Sequence, residues 1–366
     1  MEIPQYDLKH EYEELREEIL EALDRTSRSA AFVLGEEVCK FEEEFALCSE
    51  AKHCVALNSG TSALHLALLA AGVQQDQEVI TSPNTFFSTA SAIAYLGAKP
   101  VFVDIDRRTA NLRVDLVERA ITRRTRAILP VHLYGRPTDM EAIREIAERH
   151  KLAVIEDACQ AHGARYRGRH VGALGMAGAF SFYPSKNLGA YGEGGALVTN
   201  DDRVAEYARK ARTHGQSARY LHEFIGFNYR MEGYQGAVLR VKMKRLERWQ
   251  ARRKEIAEKY KKLLEGAHIE ILEDDPRDEC AYHQFAVYVE QRDAVQAQMA
   301  AVGVETVVHY PRPLHLQPAF ASLGYPRGSF PVAEQACERV LCLPMFPGLK
   351  DEQVECAATR LRSITG

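Results

Sequence analysis

Three short segments of this chain carry residue types that could do chemistry at their spacing. In Ser181-Phe182-Tyr183-Pro184-Ser185-Lys186-Asn187-Leu188-Gly189 one lysine closely follows an apolar run, and Tyr191-Gly192-Glu193-Gly194-Gly195 then gives the backbone freedom to turn. A lysine held in a partly desolvated place has a lowered pKa and becomes an amine nucleophile able to form a Schiff base; in water it is an ordinary surface charge. Val154-Ile155-Glu156-Asp157 ends an apolar run in two carboxylates. At the carboxyl end of a strand in an open α/β sheet such a group faces a ligand, and elsewhere it is a loop acid or a helix cap. Asn58-Ser59-Gly60-Thr61-Ser62 lies between an apolar run and the stretch Ala63-Leu64-His65-Leu66-Ala67. It offers free backbone N–H groups and hydroxyls at a helix start, which suit a phosphate or serve as a plain N-cap.

The elements that must position these segments read as α/β. From about His53 to Ala211, short apolar runs alternate with helix-length amphipathic stretches, the pattern of parallel strands joined by crossover helices. The expected strands are His53 to Leu57, Glu78 to Thr81, Pro100 to Asp104, Ala127 to Val131, Leu152 to Glu156, Ala179 to Tyr183 and Ala196 to Thr199. Helices are expected over Thr61 to Gly72 and Thr85 to Gly97, and at the N-terminus from His10 to about Leu23. After Tyr234 one long charged helix is expected to run to about Leu264, followed by the polar break Asp274-Asp275-Pro276-Arg277-Asp278. With 366 residues, 46% of them hydrophobic, the chain exceeds the roughly 250–300 residues at which single cores stop growing. A large domain over residues 1–245 and a smaller one over 246–366 are expected, the N-terminal segment packing on the smaller.

Composition excludes several classes of partner. A formal net charge of -4 leaves no global field to recruit nucleic acid or an anionic membrane. The basic stretch Arg240 to Lys254 also holds Glu247 and apolar Val241, Leu246 and Trp249, so it reads as the solvated face of a helix. The acidic N-terminus lacks the basic start and apolar stretch of a secretory signal, and no segment approaches the ~18 uninterrupted apolar residues of a membrane span. Eight cysteines without C-x-x-C pairs suggest neither zinc nor a disulfide framework, and fit reduced thiols in the cytoplasm. No metal is expected: His162, His214 and His283 lack ligand spacing and are read as satisfied polar groups. Gly172-x-x-Gly175-x-x-Gly178 precedes a strand where a dinucleotide fingerprint must open a helix. Phe180 and Phe182, at alternate positions of a strand, are read as core.

A phosphate cradle, a strand-end carboxylate to pair with a pyridinium nitrogen and an imine-forming lysine are together the minimum inventory of a pyridoxal-phosphate site. At this point the chain resembles the DegT/DnrJ/StrS family of sugar aminotransferases over essentially its whole length. The resemblance is carried by Phe32-Val33-Leu34-Gly35, Phe41-Glu42, Asn58 to Leu64, Gly97 to Asp104, Glu156-Asp157-Ala158-Cys159-Gln160, the lysine segment, Gly226-Phe227-Asn228-Tyr229-Arg230 and His309-Tyr310-Pro311.

The resemblance implies an aspartate-aminotransferase-like large domain (pyridoxal-phosphate fold type I) with a mixed, mostly parallel sheet, plus a smaller α+β C-terminal domain. It implies that Lys186 forms the Schiff base and that Asp157 pairs with the pyridine nitrogen. Gln160 would approach the ring hydroxyl and Phe86 would stack on the ring, with Ser59, Gly60, Thr61 and Ser181 at the phosphate. Asn228 would reach the phosphate from the partner subunit of a homodimer with shared sites. Tyr183, Arg230, His309 and Tyr310 would contact the sugar. Two positions depart from the family pattern: Gly236 stands where alanine is usual, and Glu193 where aspartate is common.

The activity so implied moves an amino group from glutamate to a nucleotide-linked keto sugar. The loop Asn187-Leu188-Gly189-Ala190-Tyr191-Gly192-Glu193-Gly194-Gly195 resembles that of the C-3 enzymes, and a thymidine-diphosphate 3-keto-6-deoxyhexose is the expected acceptor. A uridine-diphosphate 3-keto sugar or a 4-keto nucleotide sugar is the alternative acceptor. A sugar deoxygenase would carry histidine in place of Lys186. A regulatory protein that binds cofactor without turnover is the remaining reading.

Overall fold

The alternating runs between His53 and Thr199 assemble into one sheet of seven strands. The computed structural model describes all of residues 1–366. The strands are β1 (His53–Leu57), β2 (Glu78–Thr81), β3 (Lys99–Phe102), β4 (Thr125–Leu129), β5 (Ala153–Asp157), β6 (Ala177–Ser181) and β7 (Gly195–Thr199). Their spatial order is β1-β7-β6-β5-β4-β2-β3. Only β7 runs against its neighbours, β1 and β6, and every other pairing is parallel. The expected mixed, mostly parallel α/β sheet is what forms, because strands covered on both faces read as continuous apolar runs.

Strand alternation sorts the core. Cys54, Ala56, Phe180 and Phe182 point to one face, and Val55, Leu57, Ala179 and Leu197 to the other. The first face is closed by α2 (Glu36–Cys48), whose Phe45 meets Phe180 and Phe182 edge to face with ring centroids 5.1 Å apart. The second is closed by α3 (Gly60–Ala70) through Ala63, Leu64, Leu66 and Ala67. In β6 the small residue Gly178 lets the Gly172 turn lie on the strand, since a Cβ there would stand 2.2 Å from the Gly172 carbonyl oxygen.

The N-terminal helix α1 (Leu8–Ser29) runs past the expected end at Leu23, because buried Thr26 satisfies its hydroxyl on the Ala22 carbonyl, 2.9 Å away, without leaving the helix. Its Leu15, Ile19 and Ala22 pack on Ala237, Val238, Val241 and Trp249. The single long helix expected after Tyr234 is instead two, here α7 (Gly233–Met243) and α8 (Leu246–Leu264). Between α3 and α7 the chain also forms α4 (Phe87–Ala94), α5 (Met140–His150) and α6 (Asp202–Ala211). The chain turns at Arg245, whose N–H bonds the Lys242 carbonyl at 2.9 Å, and so brings both Leu246 and Trp249 inward. Nor is the Arg240 to Lys254 stretch simply solvated. Lys242 is 1% exposed and Arg253 4%. Arg253 Nη1 donates to the carbonyls of Tyr282 and Met345 at 3.1 and 3.0 Å, while Arg240 pairs with Glu37 and Glu44.

A second sheet of three antiparallel strands, β8 (Glu270–Ile271), β9 (Phe285–Tyr288) and β10 (Val340–Leu343), packs with α8, α9 (Arg292–Ala301) and α11 (Asp351–Thr365), while α10 (Pro331–Arg339) lies on its other face. Tyr260, Val287, Met299, Leu341 and Leu361 form its centre, and the N-terminal Ile3 joins them by pairing with Val304. Gly236 also has a packing reason. A Cβ there would stand 3.0 Å from the backbone of Val38, so α7 lies tight against α2.

Gly178→Ala should fold but lose about 1–3 kcal/mol, the usual cost of overpacking. Equilibrium unfolding in urea checks this, and an unchanged midpoint would show that the Gly172 turn yields freely.

Candidate functional site

At the carboxyl edge of the large sheet the three chemistry-bearing segments meet around a cavity of about 590 Å³. Its lining includes Ser59, Gly60, Thr61, Phe86, Asp157, Gln160, Ser181, Tyr183, Lys186, His309 and Tyr310. These are all of the expected site residues except Asn228 and Arg230. Those two lie outside this chain's cavity, in an extended segment where Arg230 Nε donates to Asn228 Oδ1 at 2.9 Å.

At the start of α3, Ser59 is extended and caps the helix, its Oγ accepting from Ser62 N at 3.1 Å. That turns the first N–H groups of the helix toward the cavity, where the helix dipole favours negative charge. Gly60 is required for the approach, since a Cβ would stand 2.8 Å from both Cys159 Sγ and Ser181 Cβ. Thr61 Oγ1 donates to Ser88 Oγ at 2.8 Å, so a second hydroxyl stands beside the first turn.

Asp157 closes β5 and is 5% exposed. Its Oδ2 accepts from Thr89 Oγ1 at 2.7 Å and its Oδ1 from Cys159 N at 3.2 Å. Thr89 is in turn 2.9 Å from Thr85 Oγ1. The neighbouring Glu156 points to the opposite face, fully buried. It accepts from the N–H groups of Gly172, Leu174 and Gly175 at 2.7 to 2.8 Å and lies 3.1 Å from His132 Nε2. Because His132 Nδ1 accepts from Thr138 N at 3.1 Å, the ring proton is on Nε2 and donates to Glu156. The glycine-rich Gly172 to Gly178 segment thus wraps a carboxylate of its own chain.

Gln160 is oriented at both ends: Oε1 accepts from Tyr134 N at 2.7 Å and Nε2 donates to the Tyr310 hydroxyl at 3.0 Å. The second hydrogen on Nε2 has no such partner. Phe86 caps α4 with its ring 55% exposed, 5.8 Å from that of Tyr310 and tilted by 39°, leaving an aromatic wall on one side of the cavity.

Lys186 sits in a turn held by its own N–H to the Tyr183 carbonyl at 2.8 Å. Burial pushes its ammonium below the ordinary lysine pKa, with Cys159 and Asp157 pulling the other way. Burial and then the charge of Lys186 push His309 down to about 4, so its ring is neutral, and its Nδ1 is buried without a partner. Burial likewise raises the Tyr310 phenol.

Several residues of the site escape sequence reading. Thr85 and Thr89 lie behind the strand-end carboxylate and Ser88 beside Thr61, and the one available signal was the run of hydroxyls in Thr85 to Ser91 at a strand-to-helix junction. His283 lines the cavity, 3.2 Å from Asn187 Oδ1. His162 corrects the reading of it as a satisfied polar group. Neither ring nitrogen has a partner, and the ring packs 5.4 and 5.6 Å from Phe180 and Phe182. It behaves as an aromatic core residue, with burial pushing its pKa to about 3.

The sequence pattern of the DegT/DnrJ/EryC1/StrS aminotransferase family matches residues 13–362. The chain is 46% identical over 352 residues to the dTDP-3-amino-3,4,6-trideoxy-alpha-D-glucose transaminase of Streptomyces venezuelae, covering 96% of this chain and 93% of that one. It is 49% identical over 365 residues to the pleiotropic regulatory protein of Geobacillus stearothermophilus, covering 99% and 98%. The crystal structure of S. venezuelae DesV in complex with a ketimine intermediate is similar at a TM-score of 0.97 and 44% identity, over 99% of this chain and 98% of that one.

With depressed pKa values of about 3 and about 4, His162 and His309 stay deprotonated well below the ordinary histidine range. Their ring resonances in NMR should stay flat between roughly pH 5.5 and 8, and an inflection for either ring in that window would contradict the burial argument.

Proposed function

We propose, for a chain that belongs to the DegT/DnrJ/EryC1/StrS aminotransferase family, that the cavity transfers an amino group from glutamate to C-3 of a keto sugar carried on a nucleoside diphosphate. The observation that carries this reading is the convergence of Lys186, Asp157 and the N-terminus of α3 on one cavity. Pyridoxal 5'-phosphate fits that arrangement. The missing Cβ of Gly60 lets the start of α3 close on Cys159 and Ser181, so that its first N–H groups would meet the phosphate beside the hydroxyls of Ser59, Thr61 and Ser181. Asp157 would face the pyridine nitrogen, Gln160 Nε2 the ring hydroxyl, Phe86 the ring face, and Lys186 the aldehyde.

When bound, the cofactor supplies an electron sink for the pair released as a C–H bond breaks. The residues of this chain do the rest. Asp157, its carboxylate oriented by the bonds from Thr89 and Cys159, would hold a proton on the ring nitrogen. Lys186 Nζ, its pKa lowered by burial, takes the proton from the α-carbon of glutamate and returns one to C-3 of the sugar. His309, neutral and lining the cavity, would approach the sugar alongside Tyr310 and Tyr183. Arg230 would pair with a carboxylate if the sugar is a uronate.

A thymidine-diphosphate 3-keto-6-deoxyhexose is the preferred acceptor, supported by the Streptomyces relative's name and by the Asn187 to Gly195 loop. A homodimer with Asn228 supplied by the partner is supported by the exposed position of that residue outside its own chain's cavity. No helix is long and apolar enough to cross a membrane, and a cytoplasmic enzyme is the reading we adopt. A division into residues 1–245 and 246–366 is supported by the turn between α7 and α8. The 49% identity to a protein named as a regulator favours one second reading, cofactor binding without turnover. An absorbance change on adding glutamate decides between the two.

Borohydride reduction of the yellow holoenzyme should fix the cofactor to the peptide containing Lys186; label on another lysine, with Lys186→Ala still active, would overturn the assignment. Asp157→Asn should fold and lose several orders of magnitude in turnover, whereas near-normal turnover would remove its role. In separate reactions with a 3-keto and a 4-keto nucleotide sugar, NMR of the products should show amination at C-3, and amination of the 4-keto compound alone would refute the regiochemistry.

A further inference from the structure

The loop that carries Lys186 is gripped from behind by a residue with no contact to the cavity. Lys242, on α7, is 1% exposed. Its Nζ donates to the carbonyl of Gly189, three residues after Lys186, and pairs at the same time with the carboxylate of Glu11 on α1. The same ammonium lies 5.2 Å from the ring centroid of Tyr191, which Tyr12 of α1 also approaches. One helical face of α7 adds a second grip, since Gln235 Oε1 accepts from Tyr191 N at 3.0 Å. The two ends of the loop are tied to each other, Ala190 N donating to the Phe182 carbonyl at 2.8 Å. Gly189 itself is pressed on Pro184, where a Cβ would stand 2.2 Å from the carbonyl oxygen. Lys186 therefore sits on a short arc, between Pro184 and Gly189, whose far end is held by a buried cation.

A buried ammonium is costly unless it is paired and hydrogen-bonded, and here it is both, once to the loop and once to the N-terminal helix. Nothing in the packing of α7 on α1 and α2 calls for a charge at this depth. A methionine of similar length would fill the same space.

We propose that Lys242 is a positioning residue for amino transfer: with Glu11 it fixes the Gly189 carbonyl and so the reach of Lys186. The N-terminal helix is then part of what aims the reacting amine. This rests on the reading of Lys186 as the Schiff-base lysine.

The test compares wild type with Lys242→Met and Glu11→Gln. In cofactor-free protein, amide hydrogen exchange over residues 183–192 should accelerate roughly tenfold or more in Lys242→Met and by less in Glu11→Gln, with exchange in β4 and β5 unchanged. In the loaded enzyme, the single-turnover rate at saturating glutamate should fall roughly tenfold to a hundredfold in Lys242→Met, with the KM for glutamate within about threefold. Should Lys242→Met not fold, Glu11→Gln and Lys242→Arg carry the same comparison. Unchanged loop exchange in the folded variants overturns the proposal, and so does faster exchange with an unchanged single-turnover rate. Absence of any imine at Lys186 in wild type would instead defeat the functional reading while leaving the exchange result standing.

Discussion

Burying the adjacent carboxylates of Glu156 and Asp157 leaves each in need of donors where water is excluded, and the chain supplies them from opposite faces of β5. Glu156 takes three backbone N–H groups and an imidazole, which pins the Gly172 turn and with it the path into β6. Asp157 takes a hydroxyl from α4 and one N–H of the following turn, which ties α4 to the sheet edge. The first carboxylate is spent on structure. The second keeps a face open to the cavity, and the aromatic wall, the cradle and the lysine loop are arranged around it.

The electrostatics of the cavity follow from the same exclusion of water. Burial pushes Lys186, His283 and His309 toward their neutral forms, while Asp157 keeps charge-favouring donors. A site so composed holds an amine and unprotonated imidazoles beside a carboxylate held by two donors. That is the division of labour an amine-transfer reaction needs.

Most of the large sheet was legible because its parallel strands are covered on both faces and so appear as uninterrupted apolar runs. Glu78–Thr81 and His53–Leu57 were read to the residue, and the others within about two. The lining residues at strand ends were legible for the same reason, since strand ends in such a sheet are where a cavity opens. What escaped depends on long-range partners. The turn between α7 and α8 has neither glycine nor proline to announce it, and is set by the burial of Leu246 and Trp249. Lys242 and Arg253 look like surface charges until Glu11, Gly189, Tyr282 and Met345 are brought to them by the fold. His162 could not be told from a polar ligand by type alone, because only the packing of Phe180 and Phe182 makes it an apolar ring. Thr89 was one hydroxyl among several until Asp157 selected it.

The close contact of Gly236 with Val38 couples two otherwise separate jobs. Helix α2 sets Phe41 and Phe45 on the aromatic face of β6, and α7 sets Gln235 and Lys242 on the lysine loop. With 3.0 Å between a would-be Cβ and the Val38 backbone, a single methyl at residue 236 has to be absorbed by a few tenths of an ångström of helix separation. Side-chain volume at 236 therefore acts on both jobs at once, because whatever spreads α7 from α2 shifts the aromatic face and the lysine loop together.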